Sequence, residues 1–352
     1  YCPVGEFIPG MSYLVRRLLE NTANQSFLRM RAKNEAPADD LLAPPREPDT
    51  EHPAQAQPPF NTRAPYDFSR AKLRKRAEEA ILRWRDTFPM EVFPRINGEK
   101  TKSNKVHTHT CPWKADMETS RVHFASKKDV DAAIKACENG MEAWRQMGFQ
   151  ARADIMNKAA DLIEQRWDEI FAQQVFEAGK AWDQADGDIA EAVDFLRYYA
   201  WQAPQMEARM QPLSKWGESN QLRYEPKGIT AVIAPWNFPF AISCGMSSAA
   251  LVTGNPVLYK PAEQTSVIGQ FLYNTLIDAG VPEDVFHIIP GDGEAVGAHM
   301  VDHPKVAQVV FTGSKNVGLS ISKACGEVRK GQSMVKSAII EMGGKNAIIV
   351  DS

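Results

Sequence analysis

The spacing of apolar positions separates the chain into regions of different texture. Between Lys128 and Met147, the residues Val130, Ala133, Ile134, Cys137, Met141 and Trp144 recur at three- and four-residue intervals. That is the period of a helix burying one stripe. Helical texture continues over Ala151–Gly179 and Asp183–Trp201. Beyond Leu222 short apolar runs take over, predicting strands at Ile229–Ala234, Val257–Lys260, Val285–Ile289, Val306–Phe311, Ala338–Glu341 and Ala347–Val350. Helical stretches near 240–253, 266–279, 293–302 and 315–327 fill most of the gaps. Apolar strands alternating with helices specify βαβ units, hence an α/β fold built on a doubly wound parallel sheet. Such a sheet receives ligands outside the carboxyl ends of its strands. Functional residues are therefore expected directly after each strand.

The amino-terminal part reads differently. In residues 1–30 a helical pattern runs from Pro9 through Met11, Tyr13, Leu14, Leu18 and Leu19 and stops at Asn21–Asn24. A lone helix cannot bury its own stripe, so this block must pack on something else. Residues 31–65 hold eight of the 23 prolines and no glycine, with six acids and four bases. This is the composition of a linker. Residues 66–88 form an amphipathic basic helix, with Leu73, Ala77, Ile81, Trp84 and Phe88 on one face and seven bases on the others. Nucleic-acid contact and a solvated docking helix both fit such a helix. Docking is favoured, because no second basic segment accompanies it.

The 352 residues suffice for two domains or more, at about 150 each, and residues 89–352 are taken as one nucleotide-binding unit. Lys+Arg 41 against Asp+Glu 44 leaves a net charge of −3, so no nucleic-acid partner is evident. Five cysteines without metal or disulfide spacing indicate a reducing, cytoplasmic setting and no metal. No charge occurs between Lys227 and Lys260, yet Pro235, Pro239, Gly254 and Pro256 interrupt that run. A membrane span needs about 20 continuous apolar residues, so a soluble protein is expected. The chain opens on Tyr1 with no signal peptide, and is expected to be cut from a longer one.

Chemistry gathers where the strands end. Asn237 lies between Pro235 and Pro239, and a rigid amide there could serve an oxyanion, although a turn asparagine explains it as well. Lys260 and Glu263 could grip ribose hydroxyls, or mark an ordinary helix start. Gly313 and Gly318, five apart at a strand-to-helix turn, would let backbone N–H groups approach an anion, a weak signal alone. Glu341 precedes two glycines, which suits a general base reaching water and equally a surface turn.

Together the segments IAPWNFP, KPAEQTS, FTGSKNVG and EMGGKN, over about residues 228–346, resemble the aldehyde dehydrogenase superfamily. Pro94–Gly98, Trp144, FEAGK (176–180) and EAVDFLRYYA (191–200) extend the resemblance back to about residue 90. It implies catalytic roles for Asn237, as oxyanion amide, and Glu341, as general base. NAD would be held by Ile233, Ala234, Pro235, Trp236, Lys260, Ala262, Glu263, Gly293, Phe311, Gly313, Ser314, Val317 and Gly343. The family's nucleophilic cysteine is implied to lie past Ser352, because neither Cys244 nor Cys325 matches its position. Both are read as structural thiols.

YCPVGEF and YLVRRLLENTANQSF resemble the last strand and helix of the proline dehydrogenase (β/α)8 barrel. That implies Arg16 and Arg17 on the proline carboxylate, with Tyr1, Tyr13 and Glu20 lining the same site beside FAD. A barrel tail joined by a linker to an aldehyde dehydrogenase is the arrangement of the bifunctional proline utilization A family. Its aldehyde is glutamate γ-semialdehyde, which would place Glu191 on the substrate amino group and Phe238 against the substrate. A homo-oligomer and a peripheral membrane contact through the barrel are also implied. An aldehyde dehydrogenase of other specificity and a non-catalytic assembly module of the same fold remain as alternatives.

Overall fold

The computed structural model describes residues 61–208, 217, 220, 222–344, 347 and 349. The chain divides into two compact units, residues 1–57 with 344–352, and residues 58–343. Every described helix and strand belongs to the second. The barrel tail at 1–30, most of the linker and most of the strand expected at Ala347–Val350 lie outside the described residues.

The chain runs through α1 (Ala71–Arg85), β1 (Met90–Val92), β2 (Arg95–Ile96), β3 (Glu99–Lys100), β4 (Val106–Cys111) and β5 (Lys114–His123). Four long helices follow: α2 (Lys127–Gln146), α3 (Gly148–Gln165), α4 (Trp167–Ala178) and α5 (Trp182–Ala208). Strand and helix then alternate as β6 (Ile229–Ile233), α6 (Ala241–Val252), β7 (Val257–Lys260), α7 (Ser266–Ala279) and β8 (Phe286–Ile288). The series closes with α8 (Ala298–Asp302), β9 (Val306–Gly313), α9 (Lys315–Gly326) and β10 (Ser337–Met342).

The main sheet has the order β10-β9-β6-β7-β8-β2-β3, and its first five strands are parallel. Side chains alternate across it. Val232, Val257, Tyr259 and Val310 join the core formed with α3, α5, α6 and α7. Ala231, Leu258, Val309 and Phe311 face α2, α8 and α9. Burial on both faces is why these strands read as unbroken apolar runs. The sheet departs from the purely parallel expectation at one edge, where β2 and β3 run antiparallel. Asn97 and Gly98, both at positive φ (50° and 77°), make the tight turn that reverses the chain there.

The order of strands also fixes where a ligand can enter. From β6 the chain steps outward to β7 and β8, then returns to place β9 on the other flank of β6. Connections therefore leave the carboxyl ends of β6 and β9 in opposite directions, which opens a crevice between them.

Several expectations need correction. The helix read over Ala151–Gly179 is two helices, broken at Arg166. That side chain is drawn onto Thr275 and Asp278 of α7, a tertiary pull with no local signal. The basic helix read at 66–88 is shorter, Ala71–Arg85, and Arg76 and Arg83 pair with Asp168 of α4, so it docks. The carboxyl end of the stretch read as linker is fastened down: Arg63 binds Asp186 at 2.8 Å and its backbone N–H reaches Asp194. The helix expected at 293–302 is a π turn, Gly293–Gly297, followed by α8. A three-stranded sheet, β1-β5-β4, had no counterpart in the apolar pattern.

Among the described residues no helix is long and apolar enough to cross a membrane, and no cluster could hold a metal ion.

Candidate active site

The loop after β6 is built from its ends inward. Ala234 donates its N–H to the Lys260 carbonyl at 3.1 Å, holding the start of the loop to β7. Ala234, Pro235, Pro239 and Phe240 are buried, whereas Trp236, Asn237 and Phe238 are exposed. Three consecutive side chains are thus raised from a fixed base at the carboxyl edge. Asn237 has no hydrogen-bond partner of its own among the described residues, so its amide is free to meet a ligand.

Glu341 stands on β10, facing a cleft of about 700 Å³ between α5, α6 and strands β9 and β10. Phe195, Tyr199, Ile242, Met246 and Thr312 line it, so most of the wall is apolar. Parallel register sets Ile233 beside Phe311 and Phe311 beside Ile340. Glu341 therefore stands one residue beyond that level on β10, and Asn237 follows four residues past Ile233 on the loop that leaves β6. Asn237 does not line the apolar cleft; it lies on the loop leading into α6, which covers the same face.

On the far side of β6 four of the expected cofactor residues, Lys260, Ala262, Glu263 and Gly293, come together. The Lys260 ammonium is buried and binds the Glu263 carboxylate at 2.9 Å. Gly293 and Gly297 of the π turn approach this pair. A Cβ at Gly297 would lie 3.6 Å from the Lys260 chain, and one at Gly293 would lie 3.8 Å from Glu263. Ala262 begins the short 3-10 turn, Glu263–Thr265, that holds Glu263.

At the end of β9, Ser314 caps α9 by accepting the Val317 N–H. Gly313 cannot carry a Cβ, which would come within 2.6 Å of the Phe311 ring. Phe311 itself is packed in the core, while Val317 is exposed and Gly343 has open space around it. Tyr1, Tyr13, Arg16, Arg17 and Glu20 lie outside the described residues.

Glu191 projects from α5 one turn beyond Asp188. Partial burial and the Asp188 carboxylate raise its pKa, against the opposing pull of Lys180. The thiols of Cys244 and Cys325 are buried, and burial pushes both upward, the reverse of an activated nucleophile.

Three functional supports were not read as such from sequence. Glu177 accepts the Val267 and Ile268 N–H groups at 2.9 Å each, capping α7 directly after the Lys260–Glu263 turn. Burial pushes its carboxyl up to about 8, with the two N–H bonds opposing. Asp188 accepts the Ala241 N–H at the start of α6, and Lys180 pairs with Asp188 at 3.0 Å. Glu177 alone gave a local signal, a charge inside an apolar helical stretch, which does not reveal its partner.

Residues 99–352 match the aldehyde dehydrogenase family. The chain belongs to the aldehyde dehydrogenase family. Residues 1–30 match a second family, proline dehydrogenase. The chain is 40% identical over 286 residues to 1-pyrroline-5-carboxylate dehydrogenase 1 of Halalkalibacterium halodurans, covering 81% of this chain and 55% of that one. It is 41% identical over 256 residues to 1-pyrroline-5-carboxylate dehydrogenase 2 of Bacillus subtilis, covering 73% and 50%. The chain thus spans about half the length of the curated relatives it matches.

Among solved structures it resembles proline utilization A from Bdellovibrio bacteriovorus inactivated by N-propargylglycine. The TM-score is 0.78 at 37% identity, covering 98% of this chain and 36% of that one. Thermus 1-pyrroline-5-carboxylate dehydrogenase with bound NAD gives 0.79 at 35% identity, covering 82% and 56%.

Proposed function

We propose that this chain is part of a bifunctional proline catabolic enzyme, whose aldehyde dehydrogenase portion oxidises L-glutamate γ-semialdehyde to L-glutamate with NAD. One observation carries the reading: Asn237, on the loop after β6, and Glu341, near the end of β10, both lie at the carboxyl edge of one parallel sheet. An amide donor and a carboxylate so placed can serve the two halves of acyl transfer. The match of residues 1–30 to proline dehydrogenase supports the choice of aldehyde.

Lys260 and Glu263 would hold the adenosine ribose of NAD, and Gly313 and Ser314 at the α9 N-terminus its pyrophosphate. The residues fit such a group, because Glu263, held by the buried Lys260, keeps 29% of its side chain exposed beside Gly293. When bound, NAD supplies the acceptor for hydride from the aldehyde carbon. The chain's own residues do the rest. Asn237 donates to the oxygen that gains charge as a thiol adds, and Glu341 takes a proton from the water that cleaves the thioester.

Glu191 would receive the substrate ammonium group, and Phe238 would pack on its methylenes. With Cys244 and Cys325 buried, the nucleophile is assigned to sequence of the full-length enzyme outside these 352 residues. Arg16 and Arg17, with Tyr1, Tyr13 and Glu20, would bind proline beside FAD in the barrel portion.

The two roles separate in pre-steady-state kinetics of the full-length enzyme. Glu341→Gln is expected to keep a first-turnover burst of NADH while steady turnover falls. Asn237→Ala is expected to slow the burst itself by about 10²–10³. A lost burst in Glu341→Gln with a normal one in Asn237→Ala would reverse the assignment.

A further inference from the structure

We infer that Lys180 and Asp188 form a positioning clamp that aims the Asn237 amide, an inference resting on the reading of Asn237 as the oxyanion donor. Asn237 makes no side-chain hydrogen bond of its own among the described residues, so its direction depends entirely on the backbone to either side. Two buried prolines stiffen that backbone, and the Ala234 N–H ties its start to Lys260, but neither reaches the middle of the loop or its exit.

Attachment comes from α5 and the turn preceding it. The Asp188 carboxylate is fully buried and uses both oxygens. Oδ1 accepts the Ala241 N–H at 2.8 Å, and Oδ2 accepts from the Lys180 ammonium at 3.0 Å. Ala241 opens α6, whose first N–H groups have no partner inside the helix. An acid at that end satisfies one of them and complements the helix dipole.

Lys180 follows Gly179, the left-handed residue that ends α4. Its Nζ lies 4.2 Å from the centre of the Phe238 ring, a cation–π contact with the residue next to Asn237. One buried ion pair therefore holds the loop in the middle, through Phe238, and at its exit, through Ala241.

Such a pair is a poor device for stability alone. A buried ion pair gains little over a well-packed apolar pair of the same volume. What an apolar pair could not do is accept the Ala241 N–H and fix the ring of Phe238. Lys180 and Asp188 touch neither the reacting atoms nor the cofactor residues named above, and act only through the loop.

The test compares Lys180→Met/Asp188→Leu with Lys180→Met/Asp188→Asn, whose amide oxygen still accepts the Ala241 N–H. Hydrogen exchange on this 352-residue chain is expected to show faster exchange over residues 236–242 in the first variant, partly restored in the second. Exchange over β7 should be unchanged. In the full-length enzyme the first variant is expected to lose about 10–100-fold in burst rate and kcat. Its KM for NAD should stay within about twofold, and the second variant should recover part of the rate.

Unchanged exchange over 236–242 overturns the clamp. So does an unchanged burst rate despite faster exchange, or a parallel loss of rate and NAD affinity, which would mark a general structural role. If the wild-type enzyme oxidised no aldehyde, the activity reading would fall, and the exchange measurement would still decide for or against the clamp.

Discussion

The loop after β6 and the strand β10 each carry one half of the proposed chemistry, and they are held in contrasting ways. The first leaves a strand with neighbours on both sides, and buried charges from α5 and its preceding turn fasten it. Among the described residues the second has β9 alone beside it, and most of its side chains are exposed. A donor that must meet a developing charge requires fixed aim, because its benefit comes from needing no reorganisation. A base that must activate water needs a route for solvent to its carboxylate, and Glu341 is exposed.

Stability measurements sharpen this contrast most strongly. Leu258 is fully buried in β7, next to β6, whereas Ile339 on β10 is 54% exposed. Leu258→Ala is expected to cost about 2–5 kcal/mol in urea unfolding. Ile339→Ala is expected to cost less than about 0.5 kcal/mol. Similar losses in the two variants would erase the distinction between a rigid and an open half.

Next in size is a pH effect on the rigid half. Burial raises the folded-state pKa of Glu177 from 4.5 to about 8, so the native form is the neutral acid. Folding then binds a proton that the unfolded chain releases. The contribution is complete below about pH 4.5 and disappears as pH climbs through about 8. Between pH 5 and 8 this amounts to about 3 kcal/mol, which Glu177→Gln should remove from the pH profile of unfolding. A profile identical in mutant and wild type would mean that Glu177 is charged in the folded protein.

The smallest effect concerns ligand binding beside β7. Lys260→Ala and Glu263→Ala are each expected to weaken NAD by about 1–3 kcal/mol in calorimetry. Unchanged affinity in both would remove the ribose assignment and leave that pair a purely internal contact.

What the sequence made legible follows from which forces were local. Strands β6, β7 and β9 were readable because burial on both faces demands continuous apolar runs such as ITAVI and VLYK. The places of Asn237, Lys260, Glu263 and Gly313 at or just beyond strand ends were readable because the apolar runs before them fix where the strands stop. Strands β4 and β5 were not readable, since VHTHTC and KADMETSRVH begin with exposed residues and are mostly polar, without a clean apolar alternation. The break at Arg166 and the contacts of Asp188 depend on partners far along the chain. Asp188 meets Ala241 across 53 residues, and Arg166 meets Asp278 across 112. Pattern within a short window carries no trace of such contacts.

The strand order has a consequence for the time course of synthesis. β6 and β7 can pair as soon as both exist, joined by the single helix α6. The opposite flank of β6 must wait for β9, which arrives only after α7, β8 and α8 have been made. Pairing across so long a separation is intrinsically slow, and the waiting edge is open to wrong partners. The loop bearing Asn237 is thus in place before the strand that will face it, and the crevice is among the last features of the parallel core to come into existence.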